Sequence, residues 1–292
     1  MTWGEGARVD AHLHIWDLAR SAYGWLTPDL GDLYATFTPN QARQEMDACG
    51  IGRAVLVQAE DSVRDTELML EAAAAHPWVA GVVGWIQLDD PGTAAAQLAR
   101  WTEHRVFRGV RHLLHNDPRE DLLARPVVRA TLRLVAGHGL ALDVPDAWPR
   151  HLGATAELAA ALPNLRVVVD HLGKPPFGRP DWPAWRAALA EVASHPNTVA
   201  KVSGLQVPEV AFTVNQVRPA WEAALELFGP ARLMWGSDWP MTVPSPGYAG
   251  GWQVMSGLVA ELSAGEQELL LAGTATRVYR LPPAPPVAVA PG

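Results

Sequence analysis

Short apolar runs and longer alanine- and leucine-rich stretches alternate along the whole chain. The runs fall at 8–14, 53–59, 80–87, 106–112, 139–145, 165–171, 197–203 and 232–237. Several, such as AVLVQ, GVVGWI and RVVVDH, are apolar on both alternating sides, the pattern of strands buried on both faces of a parallel sheet. Between them, 39–50, 65–76, 91–103, 126–138, 151–162, 181–194, 216–228 and 251–274 carry helical spacing. Eight strands alternating with eight helices predict a single-domain α/β fold, a (β/α)8 (TIM) barrel over residues 1–281. A doubly wound open sheet fits less well, because no glycine-rich phosphate loop follows the first strand. Punctuation agrees: Thr38-Pro39 reads as a cap and first-turn proline, and Gly50 as a helix end.

Two segments stand outside this alternation. Residues 17–37 form a long insertion after the first strand, rich in Tyr, Trp and Pro, and on the C-terminal face of a barrel such a loop is expected to act as a lid or pocket wall. The proline-rich tail 282–292 is expected to be a disordered or extended appendage.

Composition narrows the function. Of 292 residues, 49% are apolar and 18% charged, enough to bury a sizeable core. A net charge of −8 argues against a nucleic-acid partner, which requires clustered Lys and Arg. No apolar run is long enough to span a membrane, and MTWGEGAR lacks a signal core. The lone cysteine, Cys49, excludes an internal disulfide, points to a reducing cytoplasm, and reads as a small buried residue at a helix end.

The chemistry collects where the strands stop. In RVDAHLHIW, alternate residues of an extended strand share a side, so His12 and His14 point one way, with Ala11, Leu13 and Ile15 opposite. LRVVVDHLGKP ends on His171, and RLMWGSDWP stops at Asp238. The other strand ends supply Gln58, Trp85, Gln87, Arg111, His112, Asp143, Lys201 and Ser203, with Lys174 just beyond. C-terminal strand ends line one pocket in a barrel, so this segregation of polar ends from apolar bodies predicts an enzyme. His76, His138 and His195 lie near helix ends, where a histidine complements the dipole, and take a structural reading. Asp10 is either a cap or a partner that orients a histidine.

The segments VDAHLHIWD, FRGVRHLL, VVVDHLGKP, VAKVSGL, LMWGSDWP and GTATRVYRL resemble, in order from residue 9 to 281, the amidohydrolase-related family, in particular its sugar-lactonase and dicarboxylate-lactonase branch. The resemblance implies a distorted (β/α)8 barrel that opens lactones by hydrolysis. Binuclear members of the wider superfamily add a histidine or modified lysine on strands four or five. Here those strands offer His112 and Asp143 and no lysine, so the resemblance implies at most one divalent metal, zinc by donor type, on His12, His14 and Asp238 with His171 nearby. Metal-free catalysis is the open alternative.

The mechanism expected is hydrolysis of a small lactone with Asp238 as general base and His12, His14 and His171 orienting water or polarising the carbonyl. Arg111, supported by His112, is expected to grip a substrate carboxylate or hydroxyl. Trp25, Trp85 and Trp239 are expected to stack on a ring face, and Lys174 and Lys201 to contact hydroxyls. A metal-dependent decarboxylase or amide hydrolase on the same barrel is the alternative. The partner expected is a small molecule, with homo-oligomerisation left open.

Overall fold

A computed structural model describes residues 8–283; the tail expected over 282–292 lies almost wholly outside them. Eight strands pair in chain order, all parallel: β1 (Val9–Leu13), β2 (Arg53–Val57), β3 (Val79–Gly84), β4 (Phe107–Arg111), β5 (Ala141–Val144), β6 (Arg166–Val169), β7 (Thr198–Val202) and β8 (Leu233–Trp235). The helices that return the chain are α1 (Pro39–Ala48), α2 (Val63–Ala75), α3 (Pro91–Trp101), α4 (Pro126–Gly137), α5 (Leu152–Ala161), α6 (Trp182–Ala193), α7 (Val214–Phe228) and α8 (Gly247–Val259). This is the expected (β/α)8 barrel. Among the described residues no helix is long and apolar enough to cross a membrane.

Local chemistry sets the helix starts. Thr38 and Gln41 form a reciprocal capping box before α1 (Thr38 N to Gln41 Oε1, 2.8 Å) with Pro39 in the first turn. Ser62 caps α2, and Asp90 caps α3 ahead of Pro91. The stretch 251–274, expected as one helix, is broken. After α8 the chain turns at a second capping box, Ser263 with Glu266, and continues as α9 (Ala264–Glu268), a π-helical turn (Leu269–Gly273) and α10 (Thr274–Val278). Ser263 supplies the break, since its hydroxyl and Glu266 satisfy the donors of a fresh helix start.

The apolar core has two layers. A large outer layer lies between sheet and helices, with Leu56, Val82, Leu142 and Val169 against Leu98, Leu132, Trp185 and Trp221. A smaller cluster fills the barrel's interior: Ala11, Val55, Val83, Val168 and Met234 meet Val278, Tyr279 and Leu281. Membership of these layers overturns the simple alternation expected of β1, because Ala11 sits with the interior residues. The cause is an extra residue in β1, which pairs Asp10 with Ala54 but Leu13 with Leu56. Such a bulge re-aims the side chains beyond it.

Between β1 and β8 the barrel closes differently from elsewhere. Beyond β8 the chain runs along β1, with His14 N donating to Trp239 O (2.7 Å) and Asp238 N to His12 O (2.8 Å). The Asp10 carboxylate completes the seam, accepting from Ser237 N (2.9 Å), His12 N (3.0 Å) and the Tyr248 hydroxyl (3.0 Å). Gly236 permits this approach: a Cβ there would lie 2.6 Å from the His12 Cβ. Asp10 thus joins the ends of the sheet rather than orienting an imidazole ring.

Candidate active site

At the C-terminal end of the barrel, the Nε2 atoms of three histidines surround one oxygen. Asp238 Oδ1 lies 3.5 Å from His14, 3.7 Å from His12 and 3.7 Å from His171, and all four residues are buried. The structure therefore brings together His12, His14, His171 and Asp238 from β1, β6 and β8. Asp238 is aimed by a left-handed backbone (φ +58°), and so is His171 (φ +55°). For His171 this breaks strand alternation and turns both Asp170 and His171 inward.

Hydrogen bonds at the far ring nitrogens define what each imidazole offers. His14 Nδ1 donates to the carbonyl of Val57 (2.8 Å), which makes its Nε2 the acceptor nitrogen, facing His12 Nε2 at 3.1 Å. His171 Nδ1 meets the Ser203 hydroxyl at 2.9 Å. His12 Nδ1 faces Lys201 Nζ (3.1 Å) and Asp170 Oδ1 (3.3 Å). Burial pushes His171 down to about 4 against the pull of Asp238, and burial with Lys201 nearby pushes His12 well below its ordinary range. Burial works to raise Asp238, but the charge interactions with His171 and Lys174 hold it well below the usual carboxylate range. At neutral pH Asp238 is therefore a carboxylate beside the uncharged imidazoles of His12 and His171.

Beneath this layer lies a buried ionic lattice. Lys201 Nζ donates to Asp143 Oδ2 (2.6 Å) and His12 Nδ1 and pairs with Asp170 Oδ1 (3.1 Å). Tyr279 donates to Asp143 Oδ2 (2.7 Å), and Arg111 Nε reaches Asp170 Oδ2 (3.1 Å) while its Nη1 donates to Gln58 O (2.8 Å). Two cations and two carboxylates balance, as buried charges must.

Two groups have metal-ligand spacing: His12, His14 and Asp238, and His12, Asp170 and His171. Asp170 is already held by Lys201 and Arg111, so the first group is the better site. Zinc bonds of about 2.0–2.1 Å in a tetrahedron place ligand atoms roughly 3.3–3.4 Å apart. The His12–His14 Nε2 separation is 3.1 Å and the separations to Asp238 Oδ1 are those above, so the donor set fits one metal with His171 as fourth neighbour.

Above the histidines opens a cavity walled by His14, Trp16, Trp25, Arg111, Asp146, Lys174 and Asp238 among others. The insertion 17–37 does supply a wall: Trp25 Nε1 donates to Ala59 O (2.7 Å), and Trp25 meets Trp16 edge to face with centroids 5.5 Å apart. Four of the expected substrate contacts lie elsewhere. Trp85 Nε1 bonds His112 Nδ1 (3.3 Å), and His112 is held between Asp61 (3.2 Å) and Asp117 (3.0 Å), so neither lines the cavity. Trp239 is core, packed edge to face on Phe37. Lys201, read as a hydroxyl contact, is sealed under the site. Trp16, His115, Asp146 and Met241 were not foreseen as lining residues; Trp16 was legible as the next alternate residue after His14, whereas Asp146 is aimed by a left-handed turn (φ +43°) that no pattern announces.

A closed parallel barrel whose last strand delivers an aspartate onto two histidines of its first is a hydrolase-type (β/α)8 site. The chain belongs to the amidohydrolase family, whose sequence model matches residues 9–281. It is 34% identical to an L-fucono-1,5-lactonase of Burkholderia multivorans over 94% of this chain and 96% of that one. A protein of the same name from Burkholderia ambifaria is 35% identical, over 80% and 81%. Among solved structures, an amidohydrolase from Burkholderia multivorans with bound zinc superposes with a TM-score of 0.86 at 31% identity, over 94% of this chain and 99% of that one.

Proposed function

We propose that this protein hydrolyses a small lactone of the sugar-acid type, with Asp238 as the general base. The observation that carries the reading is the convergence of three imidazole nitrogens on a single oxygen of Asp238 at the floor of an open cavity. Relatives that match most of the chain are named lactonases, which favours this reading over a decarboxylase or an amide hydrolase.

A water beside Asp238 Oδ1 is the nucleophile. Its oxygen attacks the lactone carbonyl carbon as its proton passes to the carboxylate; collapse of the tetrahedral intermediate breaks the ring C–O bond, and Asp238 returns the proton to the departing alkoxide. His14 Nε2, the acceptor nitrogen of its ring, orients that water. With the Ser203 hydroxyl donating to Nδ1, His171 presents Nε2–H to the carbonyl oxygen, where negative charge develops. Lactones are activated esters, so neutral imidazole donors suffice for this step. A single metal, zinc by donor type, would be held by His12, His14 and Asp238 with His171 beside it, and would polarise the carbonyl or the water. The substrate is a small molecule; we place Arg111 and Trp25 against it and assign the protein to carbohydrate metabolism in the cytoplasm.

The test is proton release from a panel of aldonolactones by the purified protein, with and without a chelator. Turnover is expected in the absence of chelator, falling about 10²–10⁴-fold in Asp238→Asn. Unchanged turnover in that variant would remove Asp238 from the mechanism. Survival of activity under chelation would assign the chemistry to the side chains alone, and loss reversed by zinc would make His12, His14 and Asp238 ligands first.

A further inference from the structure

Two cations, Arg111 and Lys174, line the cavity, which at first sight suits a substrate carboxylate. Their partners argue otherwise. Arg111 is neutralised by Asp170 at 3.1 Å and spends another N–H on Gln58 O. Lys174 donates to Gly204 O (3.0 Å) and stands 3.9 Å from Asp146 Oδ1. Among the lining groups two positive charges therefore face two negative ones, Asp146 and Asp238, and no cation is left over for an anionic substrate.

Asp146 is placed to be read by a ligand. Its Oδ1 is buried without a hydrogen-bond partner among the described residues, and its Oδ2 lies 3.9 Å from His115 Nδ1, beyond hydrogen-bond reach. Next to it the Lys174 ammonium keeps donors unspent. A carboxylate that only accepts and an ammonium that only donates make a pair that a hydroxyl satisfies, since a hydroxyl does both. A substrate carboxylate accepts only; it would meet Asp146 as a like charge at short range. Elsewhere the cavity wall is apolar, formed by Trp16, Trp25 and Met241, and fits a C–H-rich ring face.

Resting on the lactone reading above, we propose that Asp146, with Lys174, is the specificity-determining residue that selects an uncharged, hydroxylated lactone and rejects lactones carrying a free carboxylate. It acts in binding, away from the water that Asp238 activates.

The experiment compares D-galactono-1,4-lactone with the carboxylate-bearing D-glucaro-1,4-lactone on wild type, Asp146→Asn and Asp146→Ala. Asn tolerates the left-handed backbone at this position, so Asp146→Asn retains the turn; thermal melts check both variants. The wild type is expected to prefer the neutral lactone. In Asp146→Asn, KM for it rises about ten-fold, as expected for the loss of one charged hydrogen bond, with kcat within about two-fold, while kcat/KM for the carboxylated lactone rises. A preference ratio unchanged in two folded variants would overturn the assignment of Asp146 and leave the lactone reading standing. Hydrolysis of neither lactone by the wild type would overturn that reading, and this one with it.

Discussion

Gly204 carries no chemistry, yet the site depends on it. With φ at +56°, any added Cβ would run into His171 Nδ1 and lie 2.8 Å from Asp238 Oδ2. Gly204→Ala is therefore expected to displace the two groups that flank the reacting carbonyl, lowering kcat by about 10²-fold and, because a Cβ is strained at this φ, lowering Tm as well; a kcat within two-fold of wild type would refute this. Residues of this kind were hidden in the sequence. His12, His14, His171 and Asp238 were legible because each sits where an apolar run stops. Gly204, Asp146 and the inward turn of Asp170 follow from left-handed backbone, and an apolar–polar pattern does not encode the sign of φ. Trp85, His112 and Trp239 were misplaced for a related reason. Sequence locates a strand end, but what turns away from the cavity there is decided by neighbours such as Asp61, Asp117 and Phe37.

Among the elements, the strands and helix starts were readable from continuous apolar runs and from caps such as Thr38. The bulge in β1 was not, since it shows only as register against β2. The insertion 17–37 is pinned by particular contacts as well as by packing. Tyr23 donates to Asp65 Oδ1 (3.0 Å), Ala59 N donates to Asp65 Oδ2 (2.9 Å), and Gly24 N donates to Glu60 (3.1 Å). Burial pushes the Asp65 carboxyl up to about 7, against the hydrogen bonds from Ala59 and Tyr23 that lower it. A carboxyl whose folded pKa is raised binds more protons folded than unfolded, so its contribution is complete below about 4 and is lost as pH rises through about 7. Tm is thus expected to fall on the order of 5 °C between pH 4.5 and 7.5 in wild type, and to fall less in Asp65→Asn. Parallel pH curves for the two proteins would show that Asp65 does not govern the attachment of this segment.

For the whole molecule, the C-terminal turn after α10 is as much a part of the site as the strands. Tyr279 closes the interior from below and gives Asp143 its second donor, so that the lattice of Lys201, Asp143, Asp170 and Arg111 holds His12 from beneath. Removing the hydroxyl in Tyr279→Phe leaves a buried carboxylate underbonded, at a cost of about 1–3 kcal/mol. For a chain of this size that lowers Tm by roughly 2–4 °C per kcal/mol, which calorimetry would detect; an unaltered Tm would mean that water replaces the hydroxyl. The fold class was legible from alternation alone, whereas this lattice was not, because a pattern that sets Arg111, Asp143 and Lys201 at strand ends does not say which of them pair with one another. The carboxylate seam at Asp10 carries a temporal consequence. Its partners Ser237 and Tyr248 stand 227 and 238 positions downstream, and the histidines of β1 meet Asp238 only when that seam shuts. Neither half of the catalyst can work until the two ends of the sheet meet, so in refolding the onset of turnover reports that meeting.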